Sequence, residues 1–368
     1  MSLFVCGALI VAWANGDRWL AMLTPEPGVT TTAESVATEQ AQNEEAGIEA
    51  SPVPINNETG EGTPTAEVEL APTATVEVGE APIPGEAIFS LTAAELAELG
   101  GGVGQISYAA NRDGQFDIYI NNADGSERRL TSFVKDDFRP IWSPDGTRIA
   151  YHSLRDVWQV YVMNADGSGQ LNLTRTLTDE SFPQWSPDGS QILFHSNREN
   201  SVKVQFDIFV MNADGSDVRR LTTSEDNETG ASWSPDGTQI AYQRKLANGR
   251  EHIFLMDADG SNQQQITSGS TDSLYPIWSP DGRRLLFHSN RAGGWNIFSM
   301  AIDGSDIRQI SDAGTEDFFA TWSPNGEWVV YHSNVGDDNR DLFIGRADGS
   351  ETIRLTETAQ EERMPSWK

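Results

Sequence analysis

Pro140-Ile141-Trp142-Ser143-Pro144-Asp145-Gly146 reads as a short extended run ending in a tight turn: Pro144 presets φ, and Gly146 accepts the positive φ that closes it. The pentapeptide Trp-Ser-Pro-Asp-Gly begins again at Trp185, Trp233 and Trp278, returns as Trp-Ser-Pro-Asn-Gly at Trp322, and leaves a bare Ser366-Trp367-Lys368 at the end of the chain. These tryptophans stand 43, 48, 45, 44 and 45 residues apart. A second signature, Ala-Asp-Gly-Ser, starts at Ala123, Ala165, Ala213, Ala258 and Ala347, with Ile302-Asp303-Gly304-Ser305 as its variant. A period of about 45 residues is that of a four-stranded propeller blade, and six copies are present.

Working outward from Trp142, Arg148–His152 is a second strand rich in apolar and aromatic residues, and Gln159–Met163 a third. Asn164-Ala165-Asp166-Gly167 makes a hairpin turn, and Leu171–Thr174 is a short outer strand. The first copy lacks its opening Trp strand and begins at Gln105-Ile106-Ser107-Tyr108, whereas the last runs past Thr356 into Met364-Pro365-Ser366-Trp367. The surplus strand matches the missing one. The spacing therefore predicts an all-β, six-bladed propeller of four-stranded antiparallel blades over 105–368. Pairing of the C-terminal strand with the N-terminal blade would close it and leave no open sheet edge at the seam. Just before the ring, 89–104 reads as a short helix and connector, with a capping box at Thr92-Ala93-Ala94-Glu95 and Gly100 as a stop.

Residues 24–88 hold 13 Glu, no Lys or Arg and no aromatic residue, so they cannot bury enough apolar surface to offset their ordering entropy. They read as a disordered acidic linker. Residues 1–23 are apolar from Leu3 to Ala14, with Trp13 and Trp19 following the pattern of an interfacial end. Twelve apolar residues fall short of the ~20 that span a bilayer, and no basic region precedes them, so the segment reads as a membrane anchor or a signal remnant. Either reading puts the ring outside the cytoplasm, and any membrane contact runs through this segment alone. Cys6 is the sole cysteine, which rules out an internal disulfide. The formal net charge of -30, with arginines scattered singly through turns, argues against nucleic acid.

The repeated Pro-x-Trp-Ser-Pro-Asp-Gly, the Ile149-Ala150-Tyr151-His152-Ser153 strand, the Asn111-Arg112-Asp113-Gly114 turn and the Met-Asn-Ala-Asp-Gly-Ser hairpin resemble the WD-like repeats of the TolB-type propeller family. The resemblance spans 105–368 and implies a fold rather than an activity. It also implies an extracytoplasmic setting and a protein, peptide or cell-envelope partner. TolB itself carries an additional α/β domain before its propeller, for which residues 24–88 have no suitable composition.

In register, two positions repeat beyond what the strands require. Five residues before each Trp stand Asp137, Glu180, Glu228, Ser273, Asp317 and Glu362, on the loop entering the innermost strand. In a propeller they predict a ring of carboxylates at the channel mouth, able to hold a cation or a basic segment of a partner, or else to accept backbone N–H bonds within the blades. Ten residues after each Trp stand His152, His195, His288 and His332, with Gln243 in the fourth blade and Ala109 in the first. Second strands lie at least ~10 Å from the axis, so these imidazoles cannot share one metal ion. They read instead as inter-blade positions that donate to a carboxylate or carbonyl. No nucleophile motif occurs, and no cofactor is expected. The expectation is a non-enzymatic binding scaffold. The alternative is a carbohydrate-active lyase or hydrolase using a metal at the channel mouth, for which the departures at Gln243, His252 and Ser273 are the asymmetry to test.

Overall fold

The computed structural model describes residues 88–199, 205–311, 315–334 and 339–368. The N-terminal segment and all but the last residue of the acidic linker lie outside the described residues. After helix α1 (Ala93–Gly100) come β1 (Ile106–Asn111), β2 (Phe116–Asn121) and β3 (Glu127–Arg129). The second blade is β4 (Asp137–Trp142), β5 (Arg148–Leu154), β6 (Trp158–Asn164) and β7 (Leu171–Asn172). The third is β8 (Glu180–Trp185), β9 (Gln191–Ser196), β10 (Asp207–Asn212) and β11 (Arg219–Arg220). The fourth is β12 (Asn227–Trp233), β13 (Gln239–Lys245), β14 (Glu251–Asp257) and β15 (Gln264–Gln265). The fifth is β16 (Ser273–Trp278), β17 (Arg284–Ser289), β18 (Asn296–Ala301) and β19 (Arg308–Gln309). The sixth is β20 (Glu316–Trp322), β21 (Trp328–Asn334), β22 (Arg340–Arg346) and β23 (Thr352–Arg354), and β24 (Glu362–Trp367) completes the first.

Each sheet is a four-stranded meander, and the first is ordered β24-β1-β2-β3. Ile106 pairs with Trp367 and Ala110 with Glu362, so the terminal strand is the innermost strand of the first blade. The inner strands β24, β4, β8, β12, β16 and β20 touch their neighbours in cyclic order, which closes the ring. Between blades the packing is apolar: Trp185 lies on Ile141, Ala150 and Val160 of the preceding blade, and its indole N–H donates to the Ile141 carbonyl at 3.2 Å. Trp322 makes the same bond to Ile277. The ring is therefore held mainly by burial between sheets.

Helix α1 seals the seam. Its capping box forms as the sequence implies, with Glu95 N–H donating to Thr92 Oγ1 and the Thr92 N–H donating to the Glu95 carboxylate. At its other end Gly100 lies so close to Trp367 that a Cβ there would sit 2.3 Å from the indole ring. Asn325 explains the one Pro-Asn-Gly turn among the five. Its Oδ1 accepts from Ser323 and the Glu327 N–H as Asp145 does from Ser143 and Thr147, while its Nδ2 donates to the Leu99 carbonyl at 2.8 Å. An aspartate could not donate that bond.

Because successive strands are antiparallel, all Ser-Pro-Asp-Gly and Ala-Asp-Gly-Ser turns fall on one face, the lower. The connections from second to third strands, and from each blade to the next, fall on the other. Loop length varies chiefly on this upper face; on the lower, the Ala-Asp-Gly-Ser connection of the first blade alone is one residue shorter.

Candidate functional site at the axis of the ring

Inner strands pair with second strands through a register shift in every blade. A bulge residue occupies that shift: Arg139, Phe182, Gly230, Tyr275, Phe319 and Met364, all with φ between 51° and 62°. In four blades proline follows directly, where the missing N–H suits an interrupted ladder. The left-handed turn brings these side chains together on the axis. Phe182 of the third blade and Phe319 of the sixth, which are opposite one another, have ring centroids 5.9 Å apart. Tyr275 stacks 4.9 Å from Phe182 and lies 4.7 Å from Phe319. Gly230 contributes no side chain, and Tyr275 has moved into the space a Cβ there would need. The channel is closed by an aromatic plug.

Arg139 is the one charged member of the six. Its guanidinium carbon lies 4.9 Å from the Phe182 centroid and 5.9 Å from that of Phe319. The residue is 4% exposed, and its Nε has no hydrogen-bond partner among the described residues. Burial draws its pKa down to about 10.

The five acids stand above this plug, buried rather than open to the channel mouth. Glu180 accepts from Gln159, Thr178 and Ser196 at 2.7–3.0 Å, with Arg198 3.4 Å away. Glu228 pairs with Arg244 at 2.5 Å and accepts from Ser224. Glu362 pairs with Arg112 at 2.5 Å and accepts from Thr356 and Thr358. Burial outweighs that guanidinium and raises its carboxyl to about 7. Asp317 accepts from Thr315. Asp137 has the Ser153 and Thr131 hydroxyls near it but no well-formed hydrogen bond, and burial pushes it up to about 6. Where a blade has Ser273 instead, Arg291 donates to its hydroxyl at 3.0 Å. The arginines are thus not scattered singly. Arg112, Arg155, Arg198, Arg244 and Arg291 form a set at or just past the end of the second strand of the first five blades, and Ala-Asn-Arg and Ser-Asn-Arg at 110–112, 196–198 and 289–291 carried its signal.

The flanking polar residues clamp blades together. Asp136, Asp179, Asn227 and Asp272 each accept the backbone N–H that opens the third strand of the preceding blade, at Phe116, Trp158, Phe206 and Glu251.

The histidines are buried around the plug. His152 Nδ1 accepts the Phe182 N–H of the next blade at 3.4 Å, and His332 Nδ1 that of Met364 at 3.2 Å. Gln243 does the same for Tyr275 at 2.8 Å. These side chains accept across the blade boundary; the donation expected from the sequence is not what these bonds show. Accepting at Nδ1 requires an imidazole that is unprotonated there. Burial lowers all four, His195 and His288 to about 3, with Arg139 adding to the effect at His152, His195 and His288. His195 Nε2 lies 2.6 Å from the Ser181 hydroxyl, and its Nδ1, like His288 Nε2, has no partner among the described residues. Among the described residues no three His, Cys, Asp or Glu side chains converge as metal ligands would.

The model of the TolB beta propeller domain matches residues 104–248 and 245–368. The chain belongs to the TolB-type β-propeller family. Among solved structures it is similar to TolB from Acinetobacter baumannii, at 22% identity over 73% of this chain and 67% of that one, with a TM-score of 0.62. A TolB candidate from Agrobacterium tumefaciens gives 23% identity over 68% and 88% of the two chains, with a TM-score of 0.55. Hydrazine synthase of Kuenenia stuttgartiensis aligns at 12% identity over 74% of this chain and 48% of its own, with a TM-score of 0.60. No curated protein matches. Identities this low carry the fold and leave the chemistry to the site.

Proposed function

We propose that this TolB-type propeller is a non-enzymatic, extracytoplasmic binding scaffold whose upper face receives a protein or peptide partner of the cell envelope. The carrying observation is the asymmetry of the two faces. The lower face is built from two tight turns repeated, where Leu171, Val218, Ile302 and Ile307 are 37–44% exposed, whereas the upper bears loops of differing length and three exposed apolar side chains, two of them the most exposed among the described residues. Those are Phe133 and Val134, on the loop before β4, and Leu177, on the loop before β8, exposed to 41, 76 and 93%. Apolar groups held in water on neighbouring loops of a rigid ring suit recognition. The buried state of the histidines, two of which, His152 and His332, spend a lone pair on a backbone N–H group, supports binding over metal-assisted catalysis.

The burial of Asp137, Glu180, Glu228, Asp317 and Glu362 makes their charge reversal a test of folding, so the exposed residues are the ones to change. Phe133→Glu, Val134→Glu and Leu177→Glu together should abolish cross-linked capture of a partner from an envelope fraction. Val218→Glu with Ile307→Glu, on the lower side of the third and fifth blades, should preserve it. Equal capture by both variants, or none by the native chain, would refute the proposal.

A further inference from the structure

The bulge position on the axis is where the repeat stops repeating: Arg139, Phe182, Gly230, Tyr275, Phe319 and Met364 share one backbone conformation and no common side chain. Five are uncharged, which suits a buried plug. Arg139 does not. A buried cation without a counter-charge is destabilising by several kcal/mol, and an apolar residue such as the Met364 of the neighbouring blade would remove that cost. Among the described residues no carboxylate reaches it. Glu180, Glu228 and Glu362 are each beside another arginine, Asp317 is bonded to Thr315, and Asp137 makes no ion pair.

We infer that Arg139 is the receptor for a carboxylate that enters the channel from the upper face. The tilted rings of Phe182 and Phe319 lie over the guanidinium, and its Nε–H finds no acceptor among the described residues; the N–H fork of an arginine takes a carboxylate through two parallel bonds. The Tyr275 phenol, which stacks on Phe182, lies tilted against Phe319 and donates to no described residue, is placed to supply a further donor. Buried, neutral His152, His195 and His288 surround the charge without competing for it. This inference deepens the proposed binding role and rests on it only for the side of approach.

The test uses the full chain and two probes: acetate, and N-acetylglycylglycine as free acid or amide, each against chloride at matched ionic strength. The melting temperature of the native chain should rise with carboxylate concentration. Loss of the two charge-assisted bonds should make the amide bind at least about tenfold more weakly than the acid. A response to acetate equal to that to the peptide would identify a small organic acid as sufficient, and a response to the peptide acid alone would identify a chain terminus. R139M should melt no lower than the native chain without ligand and lose the response. R139K, which keeps the charge but not the fork, and Y275F should each weaken it. A native chain indifferent to both probes, or R139M or R139K responding as the native chain does, would overturn the inference. Capture of an envelope partner unchanged by R139M would leave the upper-face proposal standing while removing this one.

Discussion

Acidification should leave this propeller's stability nearly level down to about pH 4.5, because two sets of buried groups oppose one another. His152, His195, His288 and His332 have folded pKa values depressed by burial, to about 3 for His195 and His288, against about 6.5 in the unfolded chain. Below pH 6.5 the unfolded state therefore binds more protons, and each imidazole removes stability as pH falls, by about 1.4 kcal/mol per pH unit. Burial raises Asp137 to about 6 and Asp117, Glu251 and Glu362 to about 7, against about 4 unfolded. Between pH 4 and 7 the folded state binds more protons at these sites, so each carboxyl adds stability as pH falls and loses it as pH rises through the folded value. Four against four, the slopes cancel to within about 2 kcal/mol between pH 8 and 4.5. Below pH 4 the unfolded carboxyls protonate too, the counterweight vanishes, and a slope of about 3 kcal/mol per pH unit remains near pH 3.5.

Single substitutions separate the two sets. His332→Gln keeps an acceptor for the Met364 N–H, as Gln243 does for Tyr275, and removes one titration. Between pH 7 and 5 it should become more stable relative to the native chain by about 2 kcal/mol. Glu251→Gln removes one counterweight and should lose about 2 kcal/mol over the same interval. Urea unfolding followed by tryptophan fluorescence at the two pH values reads both. Parallel shifts of His332→Gln and the native chain, within about 0.5 kcal/mol, would show that the imidazole is not neutral in the fold and that the cancellation is wrong.

Asn325→Asp should destabilise by about 1–2 kcal/mol in urea unfolding, through loss of the donor to Leu99, whereas Asp145→Asn in the second blade should cost less because its side chain donates to no helix. Trp367→Ala should cost about 3–5 kcal/mol in the same assay and raise hydrogen exchange at Ile106–Asn111, since the indole packs between β1 and α1. Glu228→Ala leaves Arg244 buried without its partner and should cost about 3–5 kcal/mol, which thermal melting would detect.

The blades were legible in the sequence because each turn of the chain through a blade meets the same constraints: proline and glycine at one turn, Asp-Gly at the next, and a tryptophan that must lie on its neighbour. Closure was legible too, since a missing Trp strand at one end and a surplus one at the other admit a single economical pairing, Ile106 with Trp367. The axial column is not legible in the same way, because a reading of the sequence that follows repetition passes over it. The repeated acids and histidines serve the joints of the ring: Glu180 takes a donor from Gln159 of the preceding blade, Glu228 pairs with Arg244 of its own, and His152 and His332 accept N–H groups from the next. A ring of identical units concentrates its differences where they meet, on the axis, and a backbone bulge carries them there. The informative column was therefore the variable one, two residues after each acid and three before each Trp, in which Arg139 alone bears a charge. Burial supplies the reason this column carries function. An apolar side chain at that place completes the plug at no electrostatic cost, so the arginine stands against stability, and what stands against stability in a closed symmetric scaffold marks the position that serves a ligand.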